Sequence, residues 1–319
     1  MKRLIALLLT LLLTLSLCAC SGAQPAETAG TTGTAPAAET EPSQTDPPAT
    51  NAPTTLRSLK ILAIGNSFSV DAMQHLYTVA KAEGVEEIIL GNLYIGGCTL
   101  DTHLTKAISG AKDYKFYKNT NGEWISTPGA SMLDGLLSED WDIITMQQGS
   151  SKSGIADEYQ PYLDQLIAFV NENKTNPDAK LYWHMTWAYQ SDSTHTSFPK
   201  YGNNQMTMYL GIVNALQQVV EPTEAFSGLL PVGTAVQNAR TGFVGDTLTR
   251  DGFHLSDLGR LIASYTWYAV FDGQPLHTIN LDKVASQKLT EAHKALVVEA
   301  VNAAIANPYA VTESTVKTP

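Results

Sequence analysis

The stretch Leu59-Lys60-Ile61-Leu62-Ala63-Ile64-Gly65-Asn66-Ser67-Phe68-Ser69 decides how this chain is read. Residues 59–64 form a short apolar run with a single Lys, long enough for a buried strand and too short for an independent helix. Gly65-Asn66-Ser67 supplies turn chemistry. Residues 70–82 then place Ala72, Leu76, Val79 and Ala80 on one helical face. Strand, tight turn and helix therefore follow one another without a spacer.

The same order recurs downstream. Strands are predicted over 87–94, 142–146, 180–186 and 228–232, with helices between them, notably over 159–173 and 203–220. Strands alternating with helices imply parallel pairing through right-handed crossovers, hence one three-layer α/β/α sandwich with a central parallel sheet. Such a sheet carries its chemistry at the carboxyl ends of its strands. Residues 114–125 break the pattern and read as an inserted β-hairpin turning at Asn119-Thr120-Asn121-Gly122. It would either shape access to the site or be a plain surface hairpin.

Outward to the amino terminus, Lys2 and Arg3 precede an apolar run from Leu4 to Leu17 and then Cys18-Ala19-Cys20. The run is shorter than the ~20 residues of a spanning helix, and the pattern has the form of a lipoprotein leader over 1–19, with Cys20 as the lipidated terminus. An acyl anchor gains ~0.8 kcal/mol per buried methylene, so the expected address is extracytoplasmic, at the membrane surface. Residues 20–56 are small, polar and Pro-rich, and cannot bury enough apolar surface to offset chain entropy. They read as a linker, followed by a folded domain over 57–308 and a tail over 309–319.

The 319 residues carry a net charge of −11, from 20 basic and 31 acidic side chains, and loss of Lys2 and Arg3 with the leader deepens it. Nucleic acid is thereby disfavoured as a partner. The membrane is reached only through the anchor. Of three Cys, only Cys98 lies in the domain, so no disulfide is expected there and Cys98 reads as a small buried hydrophobe. His75, His103, His195, His277 and His293 have no metal-ligand spacing; neither a metal nor a cofactor is expected.

Two segments carry chemistry. Ser67 sits in the turn between strand and helix, where a hydroxyl can be exposed beside free backbone N–H groups; the bland alternative is a helix cap. Asp251-Gly252-Phe253-His254 precedes a helical segment ending near Phe271. An Asp three residues before a His can hold imidazole Nδ1 and leave Nε2 to deprotonate a serine; the alternative is an Asp cap and an exposed His.

Together these segments resemble the SGNH, or GDSL-like, hydrolase superfamily over most of residues 57–275. Gly65-Asn66-Ser67 resembles its Gly-Asp-Ser, with Asn66 where Asp is usual. In Tyr94-Ile95-Gly96-Gly97-Cys98-Thr99, Gly97 resembles the glycine whose backbone N–H joins the family's oxyanion hole, with Gly96 as the neighbouring alternative. Met146-Gln147-Gln148-Gly149-Ser150 stands where most members carry Gly-x-Asn-Asp and looks like the Gln-Gly-Glu variant of some carbohydrate acetylesterases. Asp251-Gly252-Phe253-His254 is similar to the family's Asp-x-x-His. His184-Met185-Thr186-Trp187-Ala188-Tyr189-Gln190 and Pro231-Val232-Gly233-Thr234-Ala235 also resemble a narrower group of uncharacterised bacterial lipoproteins in that superfamily.

The resemblance implies a flavodoxin-like fold and a serine esterase. Ser67, Asp251 and His254 would be its triad, with the N–H groups of Ser67 and Gly97 and the Gln148 amide, or that of Gln147, as its oxyanion hole. His184, Trp187 and Tyr189 would either bind sugar rings as an aromatic platform or pack the strand end. Arg240 and Arg250 would meet an anionic substrate or form surface ion pairs. The expected substrate is an acylated, chiefly acetylated, carbohydrate. A solute- or glycan-binding lipoprotein without catalysis and an acyltransferase on a surface glycan are the alternatives.

Overall fold

The computed structural model describes residues 56–319. The expected leader, Cys20 and the linker up to residue 55 lie outside the described residues. β1 (Ser58–Gly65), α1 (Ser67–Met73), α2 (Leu76–Ala82) and β2 (Glu87–Tyr94) open the domain, followed by α3 (Leu100–Ser109). A hairpin of β3 (Tyr114–Asn119) and β4 (Trp124–Ala130) leads to α4 (Met132–Leu136) and β5 (Ile143–Met146). Then come α5 (Tyr162–Asn173), β6 (Lys180–His184), α6 (Gln205–Ala215), β7 (Gly228–Leu230), α7 (Val232–Arg240) and α8 (Asp257–Asp272). A two-stranded ribbon, β8 (Lys283–Val284) with β9 (Gln287–Lys288), precedes α9 (Glu291–Ala306).

Seven strands form one sheet in the order β4-β3-β2-β1-β5-β6-β7. The five from β2 to β7 are parallel, and the hairpin adds two antiparallel strands beyond β2. α1, α2, α7, α8 and α9 pack together over one face, and α3, α4 and α5 over the other. Because both faces are covered, β1 is apolar on both: Ile61, Leu62, Ala63 and Ile64 are all at most 1 % exposed. The register sets Gly65 opposite Tyr94 and Ile64 opposite Met146, which in turn pairs with Trp183. The carboxyl ends of β1, β2, β5 and β6 thus share one edge, where the sequence motifs meet.

The helix expected over 70–82 is two helices. It starts earlier, at Ser67, because Asn66 caps it through Phe68 N–H. It breaks because Ser264 of α8 donates to the carbonyl of Ala72 and accepts the His75 N–H at 3.3 Å, taking groups the helix ladder would have used. The expected strand over 180–186 ends at His184, and the expected helix over 203–220 runs as α6 into a π-helical turn at Leu216–Val220. The segment read as a tail is tied down. Asn238 Oδ1 accepts Thr312 N–H at 2.7 Å, Val316 O accepts Phe243 N–H at 2.9 Å, and Glu299 holds Ser314 and Thr315.

Candidate active site

Asn66 stitches the carboxyl edge together. Its Oδ1 accepts the N–H of Phe68 and an N–H of Gln147 Nε2, both at 2.9 Å, and its Nδ2 donates to the carbonyl of Cys98 at 3.0 Å. With Gln147 Nε2 spent on Asn66, Gln147 Oε1 faces His184 Nδ1 at 2.9 Å, so the imidazole carries its hydrogen on Nδ1. Burial lowers the His184 pKa to about 3, and the ring is neutral. A buried chain therefore runs from β6 through β5 and β1 to the loop after β2. Ser67 stands at its end, partly exposed, and its Oγ makes no hydrogen bond among the described residues.

The second segment is a tight turn built around Asp251. One carboxylate oxygen accepts the N–H groups of Phe253 at 3.2 Å and His254 at 2.7 Å, and the other lies 2.7 Å from His254 Nδ1. Burial raises the Asp251 pKa, but the bonds from the His254 ring and the two N–H groups outweigh it and hold the carboxyl below its usual range. Gly252 sits at φ +89 with its carbonyl taking Gln190 N–H at 2.8 Å, and a Cβ there would lie 3.2 Å from Ser193 Cα. A side chain there would be strained on both counts. His254 O in turn accepts Arg250 N–H at 2.9 Å, which closes the turn.

Two contacts join this turn to the helix of Ser67. Asp71, in α1 and fully buried, accepts Leu255 N–H at 2.8 Å together with Arg260 Nε at 2.9 Å and Arg250 Nη1 at 3.1 Å. Phe68 stacks on Trp187 with centroids 4.1 Å apart, and Trp187 Nε1 donates to the carbonyl of Phe253 at 2.8 Å. The His254 ring centroid is then 6.1 Å from that of Phe68, the neighbour of Ser67. Asp251 and His254 are thereby set beside Phe68, the residue next to Ser67.

The structure corrects several other expectations. Gln148 is committed to the backbone: its Oε1 accepts Leu100 N–H at 3.1 Å and Gly149 N–H at 2.8 Å, and its Nε2 donates to Glu158 O at 2.9 Å. It is a brace between α3 and the loop after β5, and Gln147 is equally spent on Asn66 and His184. His184, Trp187 and Tyr189 are at most 1 % exposed, so they pack the strand end and present no platform. Arg240 is a buried partner of Asp246, with its pKa lowered to about 10 chiefly by burial, whereas Arg250 forms the expected ion pair, 3.1 Å from Asp71 with its own side chain 41 % exposed. Gly97 is exposed at φ +62 in the loop after β2, and Gly149 packs where a Cβ would lie 2.8 Å from Cys98 O.

Three residues escaped the sequence reading. Asp71 lies outside every motif, and Phe68, within Gly65-Asn66-Ser67-Phe68-Ser69, had no role assigned to it; only their spacing of four and one from Ser67 on α1 could have suggested them. The His195 ring meets Phe253 edge-on with centroids 4.7 Å apart and lies tilted 4.6 Å from Tyr189, and burial, then the neighbouring His254, lowers its pKa. It sits beside the turn although no sequence spacing links them.

The whole carboxyl-edge constellation falls within a matched family region. No curated protein matches the chain. A DUF4886 family protein from Bacteroides uniformis ATCC 8492 shares 37 % identity, with 82 % of this chain and 100 % of that one covered, at a TM-score of 0.76. A protein from Slackia heliotrinireducens provisionally assigned as an SGNH hydrolase matches at 23 % identity over 67 % of this chain and 99 % of that one, TM-score 0.46. The acetyl xylan esterase AlAXEase matches at 15 % identity over 66 % and 100 %, TM-score 0.43. Residues 60–299 match the model described as "Domain of unknown function (DUF4886)", and the chain belongs to that family.

Proposed function

We propose that this chain is a serine esterase that removes acetyl or other short acyl groups from carbohydrate outside the cytoplasm, held at the membrane by lipid on Cys20. The single observation that carries the reading is the oriented pair of Asp251 and His254, 2.7 Å apart, tied through Asp71 and Trp187 to the helix that begins at Ser67. A binding protein has no use for an imidazole fixed in one tautomer beside an unengaged serine.

In this reaction His254 Nε2 takes the proton of Ser67 Oγ as the oxygen attacks the acyl carbon. The N–H groups of Ser67 and Gly97 stabilise the oxyanion. Collapse of the tetrahedral adduct breaks the ester bond, His254 returns the proton to the departing alcohol, and water then releases the acid by the same route. Asp251 keeps the ring oriented and stabilises the imidazolium.

An ester panel from acetyl to octanoyl, including acetylated xylan and acetylated peptidoglycan, tests the proposal. Turnover of short-chain acyl sugars that is lost in Ser67→Ala supports it, and absence of turnover on every member rejects it. Replacing Cys20 by Ala, with export intact, should move the protein from the membrane to the soluble fraction.

A further inference from the structure

The geometry points to a sugar-ring subsite between α1 and the β3–β4 hairpin, a cavity of about 190 Å³ lined by Val70, Gln74, Asn92, Tyr117 and Trp124. The inference rests on the esterase reading for its place in a reaction, and on the cavity itself for its ligand. Ser67 and Val70 stand at i and i+3 on α1, and Gln74, which caps the helix, continues that face at i+7. The cavity therefore begins about 4.5 Å along the helix axis from the nucleophile.

Its chemistry selects a hydroxylated ring. Asn92, 1 % exposed in the cavity lining, shares a 3.1 Å hydrogen bond with Ser69 Oγ through one end of its amide, while the other end has no partner. A buried amide left unpaired costs free energy that a ligand oxygen would recover. The Gln74 side chain makes no hydrogen bond among the described residues, and it adds a second amide that can donate or accept. Tyr117 and Trp124 supply the aromatic surface against which the C–H face of a pyranose packs.

An alkyl chain fits the same space poorly, because it would lay methylenes on Gln74 and leave the free end of the Asn92 amide unpaired. The volume is below the ~300–1,000 Å³ of sites for drug-sized ligands, so it admits one ring. Tyr117 and Trp124 both come from the hairpin, which gives that insertion its purpose: it builds the wall that recognises the carbohydrate on the alcohol side of the ester.

Trp124 also reports on the cavity. The other tryptophans, Trp141, Trp183, Trp187 and Trp267, are at most 1 % exposed, so ligand-dependent changes in indole fluorescence arise at Trp124. Ser67→Ala protein is titrated with xylobiose, cellobiose, chitobiose and, separately, octanoate. Saturable change with at least one disaccharide, lost in Trp124→Phe and weakened about three- to tenfold in Gln74→Ala or Asn92→Leu, is expected. No response to any disaccharide, or a response to octanoate alone, overturns the subsite. The ester panel on the wild type separates the two claims: turnover of acyl sugars without disaccharide binding removes only the subsite, and disaccharide binding without turnover removes only the esterase.

Discussion

Asp71 accepts the backbone N–H of Leu255 at 2.8 Å, so the helix that begins at Ser67 is bonded to the residue that follows His254. Ser67 and His254, the proposed nucleophile and base, are thereby tied to one carboxylate that bonds to neither side chain. Two arginines, Arg250 and Arg260, neutralise it in its buried position.

Removing Asp71 should therefore damage both stability and geometry. Asp71→Ala leaves Arg250 without its carboxylate and Arg260 with only Asp257, 3.6 Å away, and should cost about 3–5 kcal/mol in denaturant unfolding, the scale of a broken buried pair. Asp71→Asn keeps an acceptor for Leu255 N–H and should retain more kcat than Ala, with KM little changed in both. Full kcat in folded Asp71→Ala would show that the triad is held in place without it.

Gln148→Ala separates a brace from an oxyanion donor. Loss of its bonds to Leu100, Gly149 and Glu158 should lower Tm, while kcat of the folded protein falls by less than the ~10²-fold to 10³-fold typical of a lost oxyanion donor. Undiminished Tm with a fall of that size would restore Gln148 to the chemistry.

Asn66→Asp tests why this chain departs from the commoner Asp. A carboxylate cannot donate to Cys98 O, now 3.0 Å from Asn66 Nδ2, and would instead face that carbonyl. The substitution should destabilise by about 1–3 kcal/mol, the cost of a buried group left unpaired, read by thermal unfolding. A rise in Tm would contradict this role for the amide.

How much of this was legible in the chain depended on the range of the interaction. The parallel sheet, the serine turn and the Asp251–His254 turn are local patterns, set by apolar runs and by a carboxylate reaching three residues along its own loop. Asp71 was not legible, since its partners lie at 250, 255 and 260 and no local periodicity connects them. Trp187 and Tyr189 were legible as aromatics at a strand end, but only the stacking of Phe68 on Trp187 and the hydroxyl contact of Tyr189 with Ser150 decide that they are core. Gln148 follows the same rule: its residue type suggested a donor, and the three backbone groups around it assign it elsewhere.

Cys98 should be chemically silent. Burial pushes its thiol up to about 12, so the thiolate needed for alkylation is scarce at neutral pH and rises only in strong alkali. Iodoacetamide at pH 7.5 should leave the native protein unmodified and label it fully after denaturation, and Cys98→Ser should keep most activity. Rapid native labelling with loss of turnover would reopen the residue as a nucleophile.

The central claim is that Ser67 is activated by His254, and stoichiometric labelling by a fluorophosphonate followed by peptide mass mapping tests it most directly. The account predicts one phosphonate per chain, on Ser67, with labelling abolished in Ser67→Ala, nearly abolished in folded His254→Ala and slowed less severely in Asp251→Ala. Labelling of wild type at another residue, or unchanged labelling in folded Ser67→Ala, would contradict it.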